Sequence, residues 1–243
     1  MLGDNLLAFV NQKCRDALSV ILQEHKAKFL PDRPIDVLVL GSPDANELNT
    51  MPEDLLSQMN VVSVDMKEGS RSFESLTYER IRGNVFEQNF LQDRVPHADV
   101  TLCKWFLHHC VSAQKDDLIQ ICADKLPENG LLVVMDWFVP DWDEGSATGF
   151  DTSCRQYFLY QEKLGLAPLK RRWVRNVIDV STPNFHGGKF DSMRIFEERL
   201  MKNGLEFDEL TLGADIEWID DPELFGLHGY ICRKRKQAVT AGE

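Results

Sequence analysis

Hydrophobic residues along this chain follow two rhythms. Over residues 4–30, Leu7, Val10, Cys14, Leu18, Ile21 and Leu22 recur at three- and four-residue steps, which makes one apolar face and predicts a helix. Pro31 and Pro34 stop it. From Ile35 onward the apolar residues come in short continuous runs. Residues 35–40, 61–65, 81–86, 99–106 and 131–136 read as strands, the last apolar enough to be buried on both faces. Between the first two, Asp44-Ala45-Asn46-Glu47 reads as a capping box opening a helix to about Met59. Ser112 reads as the cap of a helix with Leu118, Ile119, Cys122, Ala123 and Leu126 on one side. Pro127-Glu128-Asn129-Gly130 reads as a turn.

Past Asp136 the character changes. Residues 137–150 are aromatic, acidic and turn-rich, and Cys154, Tyr157, Phe158 and Gln161 fall on one side of a helix ending at Gly165. A basic stretch runs from Lys170 to Arg175. Asp191 reads as the cap of a further helix with Met193, Phe196 and Leu200 inward and Gly204 at its end. Residues 207–212 and 228–232 close the chain as an antiparallel pair of strands. The organisation expected is an N-terminal helical cover (1–34), one α/β domain (35–236) with 137–190 as a lid carrying the acceptor site, and a tail (237–243). The cover can lie over a ligand cleft or simply cap one sheet face, and the pattern leaves both open.

The first strand, the turn Gly41-Ser42-Pro43, a helix and a second strand ending in Asp65 make the first half of a nucleotide-binding α/β unit. The turn lets a ligand approach the backbone, and the acid can accept hydrogen bonds from ribose hydroxyls. A nucleoside cofactor follows as the expectation. The 243 residues carry a formal charge of −12, which repels phosphate backbones and argues against nucleic acid as the main ligand. Arg233-Lys234-Arg235-Lys236 reads as a solvated end. The six cysteines form no Cys-x-x-Cys pair and no metal-ligand spacing, so no metal is expected. No apolar run approaches the roughly 20 residues needed to span a bilayer, and the N-terminus shows no secretory signal. The expectation is a soluble, cytoplasmic, reduced protein with no membrane partner, and homodimerisation stays open.

The order of elements resembles the class I S-adenosylmethionine-dependent methyltransferases. Four landmarks carry the likeness: the turn at Gly41, the acid Asp65, Asn84-Val85 after Gly83, and Asp99 through Leu107-His108-His109. The last stretch, with Asn129-Gly130-Leu131-Leu132, is similar to the ubiquinone-biosynthesis-like branch. The resemblance implies a Rossmann-like, mostly parallel sheet of seven strands with helices on both faces and a C-terminal antiparallel strand pair. It implies methyl transfer from S-adenosylmethionine to a small-molecule acceptor, at oxygen or nitrogen rather than carbon. The C-terminal part, Lys170-Arg171, Asn176-Val177 and Lys202-Asn203-Gly204-Leu205, also resembles carboxy-S-adenosylmethionine synthases, which modify the cofactor itself.

The implied cofactor-binding residues are Gly41, Ser42, Asp65, Met66, Asn84, Val85, Lys104 and Phe106. Asp65 would accept from the ribose, Met66 would pack on the adenine, and the Asn84 amide offers donor and acceptor to a base edge. Lys104, an ammonium in an apolar strand, needs a partner or a ligand carboxylate. His108 and His109 are candidate general bases, since imidazole titrates near neutrality. Asp136 and Trp137 close strand five and face the expected cleft. Arg171, Tyr157 and Trp137 are candidate acceptor-binding residues, Arg171 because a guanidinium fork matches a carboxylate. The chain departs from the family in its first motif, where Leu40-Gly41-Ser42-Pro43 replaces a run of glycines. Pro43 has no N–H and cannot take positive φ, so the loop differs. A non-catalytic methyltransferase-like binding subunit and a nicotinamide-dependent oxidoreductase remain as rival readings.

Overall fold

The computed structural model describes residues 3–42, 44–48, 51–70, 73, 76–87, 90–94, 97–138, 191–210, 212 and 226–235. Helix α1 (Gly3–Phe29) ends just before Pro31. Strand β1 (Ile35–Leu40) follows, then a 3-10 turn (Asn46–Leu48), a single helical turn α2 (Glu53–Leu56) and β2 (Met59–Asp65). The chain continues through β3 (Thr77–Arg82), α3 (Phe90–Arg94), β4 (Val100–Lys104), a second 3-10 turn (Leu107–His109) and α4 (Ser112–Lys125). Then come β5 (Leu131–Phe138), α5 (Met193–Lys202), β6 (Leu205–Leu210) and β7 (Gly226–Lys234).

The seven strands form one sheet in the order β3-β2-β1-β4-β5-β7-β6. The first five run parallel, β7 is antiparallel to β5, and β6 is antiparallel to β7. This is the expected α/β architecture. The order reverses at β1 and β4, so their carboxyl ends flank the crevice where open α/β sheets bind ligands. Side-chain alternation sorts the core into two layers. Val37, Val39, Leu102 and Val133 pack under α1, the first 3-10 turn and α2. Leu38, Leu40, Cys103 and Val134 pack under α4 and α5. Helix α1 therefore lies on one sheet face through Cys14, Leu18, Ile21 and Leu22.

Several expected boundaries move. The helix expected over 44–59 does not form. Ala45 takes φ +43° and Pro52, extended at ψ 137°, precedes α2, so the segment holds only two short turns. The Asp44 carboxylate accepts the Ser70 N–H at 2.7 Å and pairs with Arg80 at 3.2 Å. The Ser42 hydroxyl accepts the Asn46 N–H at 3.2 Å. The third strand sits at 77–82 rather than 81–86. It lies at the sheet edge, where alternate residues meet solvent and no apolar run is needed. The fourth strand stops at Lys104 because Trp105 turns to φ +53°. Ser112 is the first residue of α4 rather than its cap, and Gln114 Oε1 accepts the Val111 N–H at 3.1 Å. The cap of α5 is Ser192, whose hydroxyl accepts the Ile195 N–H at 3.3 Å, while Asp191 is turned to other partners. Five described cysteines, Cys14, Cys103, Cys110, Cys122 and Cys232, are free and buried. No described helix is long and apolar enough to cross a membrane.

Candidate active site

The carboxyl ends of β1, β2, β4 and β5 gather most of the described candidates. Asp65 ends β2, half-buried, and its Oδ1 accepts the Lys67 N–H at 2.6 Å. The loop after it is fastened to β3 by Arg82, whose Nε donates to the Met66 carbonyl at 3.2 Å. That leaves the Met66 side chain 66% exposed beside the acid. Asn84 makes a local turn, its Oδ1 accepting the Phe86 N–H at 3.1 Å. Val85 is buried in the layer under α4.

Gly41 takes φ +73°, a conformation that favours glycine. A Cβ there would run into the ring of Phe106. Phe106 stacks on Phe86 with centroids 6.3 Å apart and planes 13° off parallel. The close approach that glycine permits is therefore taken by an aromatic ring from the end of β4. Ser42 is buried behind it.

Lys104 follows the parity of Val100 and Leu102 and points towards α1. Its Nζ donates to Asn11 Oδ1 at 2.5 Å and lies 4.2 Å from the Trp105 ring centroid. Burial lowers the pKa of this ammonium, and the nearby Glu47 partly offsets it. The partner that the sequence demanded for Lys104 is thus supplied by the N-terminal helix and an indole face.

The opposite parity serves the histidines. Trp105, in a left-handed conformation that costs a bulky residue of order 1–3 kcal/mol, reverses the chain into the turn Leu107–His109. Asp136, on the same face of β5 as Leu132 and Val134, is almost fully buried. Its Oδ2 accepts the Leu107 N–H at 2.7 Å and the His108 N–H at 3.3 Å. Its Oδ1 lies 2.6 Å from His108 Nδ1. The carboxylate thus grips both the turn and the ring it carries. With the proton on Nδ1 held by Asp136, the lone pair of the neutral ring is on Nε2. His109, with its ring more exposed, sits with its centroid 4.0 Å from that of His108. Burial and then the neighbouring imidazole hold its pKa below the usual value, against the pull of Asp136.

Asp136 and His108 are the pair that the structure brings together. The sequence signal for Asp136 was a charge closing an otherwise apolar strand. Two charges prove buried: Lys115 on the apolar side of α4, which the sequence did not single out, and Asp191, which it offered only as a helix cap. Trp137 pairs with Leu227 through the backbone of β5 and β7, and its side chain lies outside the described part. Of the segment expected as a lid, 137–190, the first two residues are the end of β5, and the rest, with Tyr157 and Arg171, lies outside the described residues. No cluster of metal-ligating groups occurs among the described residues.

No protein-family model matches the chain. Two curated relatives do. An anthranilate N-methyltransferase of Ruta graveolens is 36% identical over 75 residues, 31% of this chain and 19% of that protein. A eugenol O-methyltransferase of Sorghum bicolor is 27% identical over 121 residues, 49% of this chain and 29% of that protein. Among solved structures, human N-acetylserotonin methyltransferase in complex with its methyl donor superposes with TM-score 0.55 at 15% identity, covering 93% of this chain and 52% of that one. An O-methyltransferase family protein of Burkholderia thailandensis gives 0.51 at 13%, covering 91% and 60%. The chain thus spans little more than half the length of these solved structures, and the matched stretches are under a third of the curated relatives. With the strand order and the antiparallel end pair, these similarities identify the fold as that of the class I S-adenosylmethionine-dependent methyltransferases.

Proposed function

We propose that this protein transfers a methyl group from S-adenosylmethionine to an oxygen or nitrogen of a small-molecule acceptor, with His108 as general base. The observation that carries this is the 2.6 Å contact between His108 Nδ1 and a buried Asp136 at the carboxyl edge of the sheet. Both curated relatives are named for methyl transfer, one to nitrogen and one to oxygen, which supports the reaction class.

The residues at the tips of β2 and β3 fit the adenosine part of the donor. Asp65 has a second carboxylate oxygen for ribose hydroxyls, Met66 offers an exposed thioether to a base face, and Asn84 keeps its amide donors. When bound, the donor supplies an electrophilic methyl on a sulfonium. Every other element is the chain's own. His108 Nε2 takes the proton from the acceptor as the nucleophile forms its bond. Asp136 fixes the tautomer and stabilises the imidazolium. The buried residues of β4 and β5 surround that carboxylate.

The Phe106 ring against Gly41 favours a second reading, a methyltransferase-like subunit that binds no donor. Calorimetry separates the two. Wild-type protein is expected to bind S-adenosylmethionine and S-adenosylhomocysteine, and Asp65→Ala to weaken binding by about 1–3 kcal/mol. No heat of binding from folded wild-type protein at millimolar ligand would leave the subunit reading standing. A panel of phenolic and arylamine acceptors then tests the chemistry. His108→Gln is expected to keep donor affinity and to lose methyl transfer by roughly 10²–10⁴-fold.

A further inference from the structure

Behind the dyad the fold buries charges that proton transfer alone does not require. Lys115 lies on the apolar side of α4, one turn before Leu118 and Ile119, and is 1% exposed. An ammonium there is costly unless it is paired. Its Nζ is 3.2 Å from Asp191 Oδ1. Asp191 is itself held: Arg199 Nε donates to its Oδ2 at 3.1 Å. Arg199 also donates to Asp116 at 2.6 Å and to the Ser112 hydroxyl, so it ties α5 to the start of α4.

This pair meets the dyad at a cavity of about 10 Å³. Its polar lining is His108, Asp136, Lys115 and Asp191, closed by Phe138 and Phe196. The space is about that of one water molecule. Four ionisable groups therefore face one another across a water-sized gap between aromatic walls, where charges act strongly. We propose that Lys115 and Asp191 are positioning residues of opposite effect, which set through Asp136 how readily His108 accepts a proton. The claim rests on His108 being the base. The Lys115 ammonium opposes an imidazolium on the far side of the gap, and the Asp191 carboxylate favours it. Arg199 holds Asp191 at the balance point.

Other charged groups surround the ring. His109 lies against it on the same turn, Lys67 acts on His109 from the loop after β2, and His228 sits opposite Asp136 on β7. Asp116 stands further back with Arg199. Of all these, Lys115 and Asp191 alone share the cavity with the dyad.

The test reads the ring itself. The His108 ring signal, assigned by its loss in His108→Gln, is followed by NMR across pH in the full chain. Lys115→Met, which keeps the volume and removes the charge, is expected to raise its titration midpoint by about one pH unit. Asp191→Asn is expected to lower it, and the double variant to return it towards the wild-type value. An unmoved midpoint in Lys115→Met, or shifts of the same sign in both single variants, overturns the proposal. Should Asp191→Asn not fold, the double variant decides: a midpoint as high as in Lys115→Met alone overturns it. A chain that shows opposite shifts yet transfers no methyl refutes the base and leaves the charge pair standing. Methyl transfer with an unmoved midpoint does the reverse.

Discussion

A neutral imidazole has one proton to place, and Asp136 decides where it goes. The carboxylate accepts from Nδ1 and from two backbone N–H groups of the turn that carries the ring, so orientation and tautomer have one cause. Asp136→Asn tests that cause with little change in volume. The amide oxygen can keep the backbone bonds, but the amide nitrogen would then face Nδ1 and push the ring proton to Nε2. On the proposed chemistry, the ring would then present a donor where it has to receive the acceptor's proton. We expect turnover to fall by roughly 10²–10⁴-fold with KM for the acceptor little changed and the thermal midpoint nearly kept. A matching rise in KM would mean that Asp136 shapes the pocket rather than the proton. His109 does not replace it: burial and the neighbouring imidazole lower its pKa, and no described carboxylate fixes its tautomer.

Among the elements, β4 joins the two ends of the molecule. At its start, Asp99 accepts from both guanidinium nitrogens of Arg33, at 2.8 and 2.6 Å, and from the Asp36 N–H at 2.9 Å. This clasp ties the linker after α1 to the amino edge of the sheet. Asp99→Ala removes all three bonds. Arg33 is half exposed and rehydrates, so the cost should be about 1–2 kcal/mol, read as a shift in the urea midpoint. Donor binding at the far edge should not change. A loss of binding without loss of stability would show that β4 transmits more than packing. The same strand shows what the sequence made legible. Its apolar run, like those of β1, β2 and β5, announces itself because burial on both faces admits few polar residues. The histidines after it stood out as a chemical pair in a cleft-forming position. Less legible was β3, whose Thr77–Arg82 alternates as an edge strand does. The helix over 44–59 had a plausible cap on paper, but Pro52 and the backbone of Ala45 override it. Lys115 and Asp191 were beyond sequence reading for another reason. Each is an ordinary charge locally, and only the packing of α5 on α4 makes them neighbours.

At the scale of the molecule, the two edges of the sheet hold different groups, and on the proposed function they separate chemistry from support. The carboxyl edge holds Asp65, His108 and Asp136, while the amino edge holds the Arg33–Asp99 clasp and, under it, His25 of α1. His25 is 5% exposed, and its Nδ1 has no hydrogen-bond partner among the described residues. Burial, first among the causes, lowers its pKa; Arg233 and Arg33 push the same way, and Asp99 resists. In the unfolded chain the ring takes up its proton near pH 6.5, and in the folded chain only at lower pH. Between those two values the unfolded state binds more protons, so stability rises with pH there and is lost as pH falls. His25→Leu removes the titration and keeps an apolar group in the same layer. Urea unfolding below pH 6.5 and again near neutrality should show the variant gaining on wild type as the solution is acidified, and no such trend above neutrality. Because His25 sits at the supporting edge, donor affinity measured near neutrality should be the same in both proteins. A constant difference between them at every pH would show that the His25 ring takes up its proton equally in the folded and unfolded chain, and that the acid sensitivity of this fold begins with its carboxylates.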